Sequence, residues 1–211
     1  MNSKNHSLPI SVLLFNILSL AAGSIAATQT RNWEFVFYVL VVLVLGLLVA
    51  WVHRNVGLPI ALLWALSLWA VLHMAGGLVP IPESWHESGK PVLYSWMVIP
   101  GVLRYDQPTH AYGFGVATWL VWVCLTRSLR ARPESIGTVA IAALAGLGLG
   151  ATNEVIEFFA SLTMDTNVGG YINTGWDLVF NTIGSVIAAM VIFLRKKMAA
   201  NQTPAKRVES D

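Results

Sequence analysis

"IGTVAIAALAGLGLGATNEVIEFFAS", residues 136–161, decides the fold. It runs on Ala, Gly, Leu and Val for longer than the roughly 20 residues a helix needs to cross a bilayer. Near its end it carries Glu154 and Glu157, one helical turn apart, followed by Phe158 and Phe159. Comparable apolar runs fall near 8–27, 33–52, 58–77, 109–128 and 175–194, which makes six in all. The whole chain of 211 residues is 55% hydrophobic and only 11% charged, with a mean hydropathy of +0.63. A soluble domain carries about 25% charged residues. The expected fold is therefore all-α, a polytopic membrane helix bundle of about six transmembrane helices.

The first run also fits a signal peptide, with Lys4, a short apolar core and the small residues of "SIAATQ". Cleavage there would leave the topology of the rest unchanged. Cys124, the single cysteine, lies within a run, so no disulfide framework exists.

Orientation follows from Lys and Arg. Lys4, Arg54, Arg127, Arg130, Arg132, Arg195, Lys196, Lys197, Lys206 and Arg207 fall on one side of the alternating spans. Arg31, Lys90 and Arg104 fall on the other. The positive-inside bias puts both termini in the cytoplasm and turns the connections 28–32, 78–107 and 162–174 outward. The net charge is only +2 and the basic residues are spread as topology signals, so no nucleic-acid partner is expected. The partner is the lipid bilayer itself. The tail "RKKMAANQTPAKRVESD", residues 195–211, is either solvated or in touch with anionic head groups.

Three regions result. Residues 1–70 hold spans with almost no buried polar groups. Residues 71–195 carry His, Asp, Glu and Asn inside the apolar runs. Residues 196–211 form a basic cytoplasmic tail. The long outer connection 78–107 is expected to hold structure of its own. Its apolar part, "PVLYSWMVIPGVL", suits the interface or a return into the bundle. Trp33, Trp96 and Trp176 are expected in the outer aromatic belt, and Trp51 in the inner one. Gly146 and Gly150, with Gly148 between them, form a small-xxx-small pattern that would place the fifth span at the bundle centre.

With that orientation His73, Asp106, His110, Glu154, Glu157, Asp177 and Asn181 all fall in the outer leaflet half, although they come from four spans. Asp106 and His110 are four apart, Glu154 and Glu157 three, Asp177 and Asn181 four, so each pair shares one helix face. Ionisable groups within spans face the bundle interior, a partner or water. Three such faces at one level predict a shared polar pocket open to the outside.

Structural readings stand beside that one. Asp106, two before Pro108, can cap the fourth span. Thr174-Gly175-Trp176-Asp177 resembles a capping box with Asp for the usual Glu. His73 can hydrogen-bond backbone beside Gly76 and Gly77, and Asn181 can be glue between helices. Glu154 and Glu157 resist such accounts, because they sit near a helix C-terminus and repel each other. Either one of them is protonated, or the pair is neutralised from across the bundle by His73, His110 and Arg104 or by a divalent metal. Two His and several carboxylates make a common ligand set, here His73, His110, Asp106, Glu154, Glu157 and Asp177.

"LHMAGG", "RYDQPTHAYGFG", "NEVIEFF" and "NTGWDLVFNTIGS" occur here in order, and in these blocks the chain resembles YjdF-like inner-membrane proteins, more distantly VanZ-like ones. The resemblance covers about residues 70–195. It implies a bacterial cytoplasmic (inner) membrane protein in which His73, Asp106, His110, Glu154, Glu157, Asp177, Asn181 and Gly184 occupy the family's recurring positions. Asn173 stands where those proteins tend to have Asp, which argues against a charged role there.

Three functions compete. One is an outward-facing enzyme on a lipid or envelope precursor. Glu154 or Glu157 would be its general base, and His110, Asp106 and a metal would activate water. The second is a non-catalytic binding or scaffold protein for an envelope component. The third is a small proton-coupled transporter, against which the apolar inner segments "VATWLVWVCL" and "IGSVIAAMVIFL" argue.

Overall fold

The computed structural model describes residues 6–31, 33–86, 90–163 and 170–202. The topology signals Lys4, Lys206 and Arg207 lie outside the described residues. Six long helices follow one another: α1 (Ile10–Gln29), α2 (Trp33–Val56), α3 (Ile60–Leu78), α4 (Asp106–Ser128), α5 (Ile136–Thr163) and α6 (Tyr171–Gln202). The fold is thus the expected all-α bundle. Five of these helices are long and apolar enough to cross a membrane. The exception, α4, has the length, but its first turns carry Asp106, Gln107, Thr109 and His110.

Prolines and glycines set the boundaries. Pro9 and Pro59 precede the first residues of α1 and α3. Gly57, at φ 69°, ends α2 by donating its N–H to His53 O at 2.8 Å. This left-handed cap favours glycine. The Arg127 guanidinium donates to the Gly57 carbonyl and so ties α4 to that turn.

The connection after α3 does carry structure. It forms two 3-10 turns, Glu83–Trp85 and Leu93–Ser95, then a small antiparallel hairpin of β1 (Met97–Ile99) and β2 (Leu103–Arg104). Tyr94 and Ser95 are buried, with the Tyr94 ring against Gly76 of α3, so this segment returns into the bundle. Trp96 packs within the connection itself. It is half-buried and stacks on Trp85 with centroids 5.6 Å apart. Trp33, Trp51 and Trp176 are exposed near helix ends, as belt residues would be.

The helix at the centre is α4, which packs against α2, α3, α5 and α6. α5 lies on one side of the α4–α6 pair, with Ile141, Leu144, Val155 and Phe159 exposed on its outer face. The expectation for α5 was wrong because its glycine pattern serves only one face. Gly146 meets Thr118 and Ser185, and Gly150 meets Asn181, but Gly148 faces open space. The closest crossing joins α4 and α6, where Gly115 approaches Gly184 and Gly184 lies against the backbone of Ala111. Between membrane helices such small residues permit backbone contact that supplies much of the association energy.

The first three helices are less plain than expected. Glu34, His53 and Ser67 are buried, and Lys90 lies 3.6 Å from Glu34. Asn16 Nδ2 donates to Ser67 Oγ at 2.7 Å.

Candidate functional site

Successive helices run in opposite directions, so the starts of α4 and α6 and the end of α5 share one level. Asp106, His110, Glu154, Glu157, Asp177 and Asn181 meet there, all buried. His110 is the hub. Its Nε2 lies 3.3 Å from Asp106 Oδ1 and 4.0 Å from Asp177 Oδ1. Its Nδ1 lies 3.0 Å from Asn181 Oδ1 and 3.6 Å from Glu154 Oε1. The shared pocket expected from the spacing is therefore present as a cluster.

Asn181 fixes the orientation of the hub. Its Nδ2 donates to Glu154 Oε1 at 3.2 Å, which turns Oδ1 toward His110. A carbonyl oxygen only accepts, so Nδ1 must carry the proton and donate. The structure thus supports the reading of Asn181 as glue: it joins α4, α5 and α6.

Neither capping reading holds. α4 begins at Asp106 itself, with Tyr105 in the cap position. Pro108 is tolerated in the first turn, where its missing N–H has no intrahelical partner to lose. α6 begins at Tyr171, so Asp177 lies beyond the first turn and caps nothing. Asp106 at its helix start still suits the positive end of the dipole.

His73 is not bonded to backbone beside Gly76 and Gly77. The Tyr94 hydroxyl donates to its Nδ1. Burial, with Asp106 nearby, holds the Tyr94 phenol well above its ordinary pKa, so it remains a neutral donor. Tyr94→Phe leaves that nitrogen without its donor in a largely apolar setting. It is expected to cost about 1 kcal/mol, read as a lower melting temperature in detergent with the helix content unchanged.

Arg104 reaches the acids only indirectly. Its Nη1 donates to Asn173 Oδ1 at 3.2 Å, and Asn173 Nδ2 donates to Asp177 Oδ2. The amide suits that relay, since a carboxylate at position 173 would have no N–H to offer Asp177. Glu157 Oε1 accepts from Asn153 Nδ2 at 2.8 Å. Sequence reasoning missed Asn153, Tyr94 and Tyr38; the Asn153–Glu157 spacing of four was the one available signal.

Two sets of ligand atoms converge closely enough to hold an ion: Asp106, His110 and Asp177, and Glu154, Glu157 and Asp177, each within 4.8 Å of one another. Donors about 2–2.5 Å from one ion stand at most about 5 Å apart. His73 belongs to neither set, because its bond to Tyr94 holds it at the edge. Asp106 Oδ1 and Glu154 Oε2 are buried without a hydrogen-bond partner. Among the described residues no Lys or Arg forms an ion pair with any of the four carboxylates.

Fold and site together define a polytopic helical membrane protein with a buried cluster of one histidine and four carboxylates. The chain belongs to the YjdF-like family described as "Predicted membrane protein (DUF2238)", which matches over residues 8–198. No curated protein and no solved structure matches the chain. The more distant likeness to VanZ-like proteins finds no support in these comparisons.

Proposed function

We propose that the protein is an outward-facing, cation-dependent enzyme of the bacterial inner membrane that acts on a lipid or envelope precursor. The observation that carries this reading is the placement of His110. With Nδ1–H donated to Asn181, Nε2 is the nitrogen that faces Asp106 Oδ1 and Asp177 Oδ1, where it would either donate a proton to the carboxylates or, deprotonated, ligate a cation with them. Metal-binding histidines are held in this way, their other N–H donating to an oxygen behind them. Four carboxylates around one imidazole also leave an excess of negative charge that an apolar bundle does not tolerate without a cation or protons.

A divalent ion at Asp106, His110 and Asp177 would lower the pKa of a bound water and polarise a carbonyl or phosphoryl oxygen. Glu154 Oε2, a buried acceptor without a partner, would take the proton of the attacking water. The outward orientation rests on the distribution of Lys and Arg. A carrier is less favoured, since Leu62, Val116, Val123 and Val139 form an apolar core in the other part of the bundle.

Elemental analysis of the purified protein in detergent tests the reading, wild type beside His110→Ala and Asp177→Asn. Near-stoichiometric zinc, iron or manganese is expected in the wild type and none in either variant. A wild type that stays metal-free after incubation with zinc and manganese would leave protonated acids as the account, and with it a binding or scaffold role.

A further inference from the structure

A cavity of about 280 Å³ lies between α1, α2 and α3 and reaches α5 at one end. Val12 and Leu20 of α1, Val42 and Val49 of α2, and Leu63 and Leu66 of α3 make its wall apolar. Asn16 and Ser67, also in the wall, bond to each other and ask nothing of an occupant. Gly23 of α1 lies tightly against Met74 of α3 and in ordinary contact with Val39 of α2, near the connected ends of α1 and α2. Leu13 and Ile17 on one side, and Leu43, Gly46 and Leu47 on the other, line the opening and are exposed where the bilayer would be.

Tyr38, His73 and Asn153 line the other end. They join the cavity to the cluster: Asn153 holds Glu157, and the His73 ring meets Tyr38 edge-on with centroids 5.4 Å apart. The Tyr38 hydroxyl is buried, with 2% of the residue exposed, and has no hydrogen-bond partner. Buried hydroxyls are rarely left so.

Resting on the reading of the cluster as a lipid-modifying site, we infer that the cavity seats one acyl chain of a membrane lipid, which enters sideways between α1 and α2. Its polar end is held at Tyr38 and Asn153 beside the carboxylates. The dimensions agree. Leu63 to His73 spans about 15 Å at 1.5 Å per residue, close to half of the roughly 30 Å hydrocarbon thickness. The volume of about 280 Å³ falls just below the range of about 300–1,000 Å³ for small-molecule sites, which suits one chain rather than two. A lateral opening also excludes water-soluble ligands, which would have to cross lipid to reach it.

The test uses the full chain in lipid nanodiscs. The probe is phosphatidylethanolamine carrying a diazirine midway along one acyl chain. After irradiation, adducts are expected on the cavity-lining residues of α1, α2 and α3. Gly46→Trp fills the opening, and a Cβ there meets nothing within 4 Å, so the variant has room to fold. Labelling should fall about ten-fold in it, equivalent to roughly 1.4 kcal/mol of chain binding. Gly148→Trp, equally open but on the outer face of α5, should label as the wild type does. Adducts spread evenly over bilayer-facing positions such as Leu144 and Phe159, and indifferent to Gly46→Trp, would overturn the inference. The wild-type adduct map alone decides this, whatever the variants do. Cavity labelling in a protein that binds no metal would sink the cation reading and spare the acyl seat, whereas bound metal with even labelling would do the reverse.

Discussion

Gly184→Ala is expected to lower stability by roughly 3 kcal/mol, at the upper end of overpacking costs. A Cβ on Gly184 would sit 2.6 Å from the carbonyl carbon and 2.8 Å from the Cα of Ala111, with the carbonyl oxygen closer still. These are backbone atoms, so no rotamer change relieves the clash and α4 and α6 must separate. The separation falls on the worst place. His110 adjoins Ala111, and Asn181 lies one turn before Gly184, so the bond between His110 and Asn181 stretches with the helices. At about 2–4 °C per kcal/mol for a chain of this size, melting in detergent should occur some 6–12 °C lower. Gly148→Ala is the matched control. Its Cβ meets nothing within 4 Å, and replacing a mid-helix glycine should raise stability by up to about 1 kcal/mol. Equal melting temperatures for Gly184→Ala and the wild type would mean that the two helices do not cross there.

That crossing was only partly legible in the sequence. Apolar length located all six helices, five of which are long and apolar enough to cross a membrane. Alternating direction then placed His110, Glu154 and Asp177 at one level, and the pairs three or four apart chose their faces. The identity of the central helix was hidden. α5 advertises glycines, yet two of the three serve a single face, while α4 uses Gly113 and Gly115 after first turns that carry Asp106, Gln107, Thr109 and His110. Helix starts were also obscured. Asp106 before Pro108, and Asp177 after Thr174, look like caps in isolation. Both helices nevertheless start before the residue such a cap would make their first, and tertiary bonds lie at their starts: Tyr105 O–H donates to Leu72 O at 3.1 Å, and Arg104 reaches Asn173. Tyr38, Tyr94 and Glu34 could not be found from periodicity, since their burial depends on which loop folds back and against which helix.

The amide of Asn181 has the largest expected effect within the cluster. The residue is 1% exposed, accepts from His110 Nδ1 and donates to Glu154 Oε1. Asn181→Ala leaves a buried N–H and a buried carboxylate oxygen unpaired at once. At about 1–3 kcal/mol for each unsatisfied group, a loss of several kcal/mol is expected in detergent melting. The second consequence separates the competing accounts of the acids. If His110 Nε2 ligates an ion, removing the oxygen behind Nδ1 frees the ring to turn and to exchange its proton. Metal affinity should then fall about 10–100-fold, measured by competition with a chelator. Asn181→Asp keeps an acceptor for Nδ1–H and loses only the donor to Glu154, so it should retain more affinity than Asn181→Ala despite its added charge. If protonated acids alone hold the cluster together, both variants would melt early and neither would change metal content. Unchanged affinity in a folded Asn181→Ala protein would remove His110 from the ligand set, and the ion would then have to sit at Glu154, Glu157 and Asp177, the other group of converging oxygens.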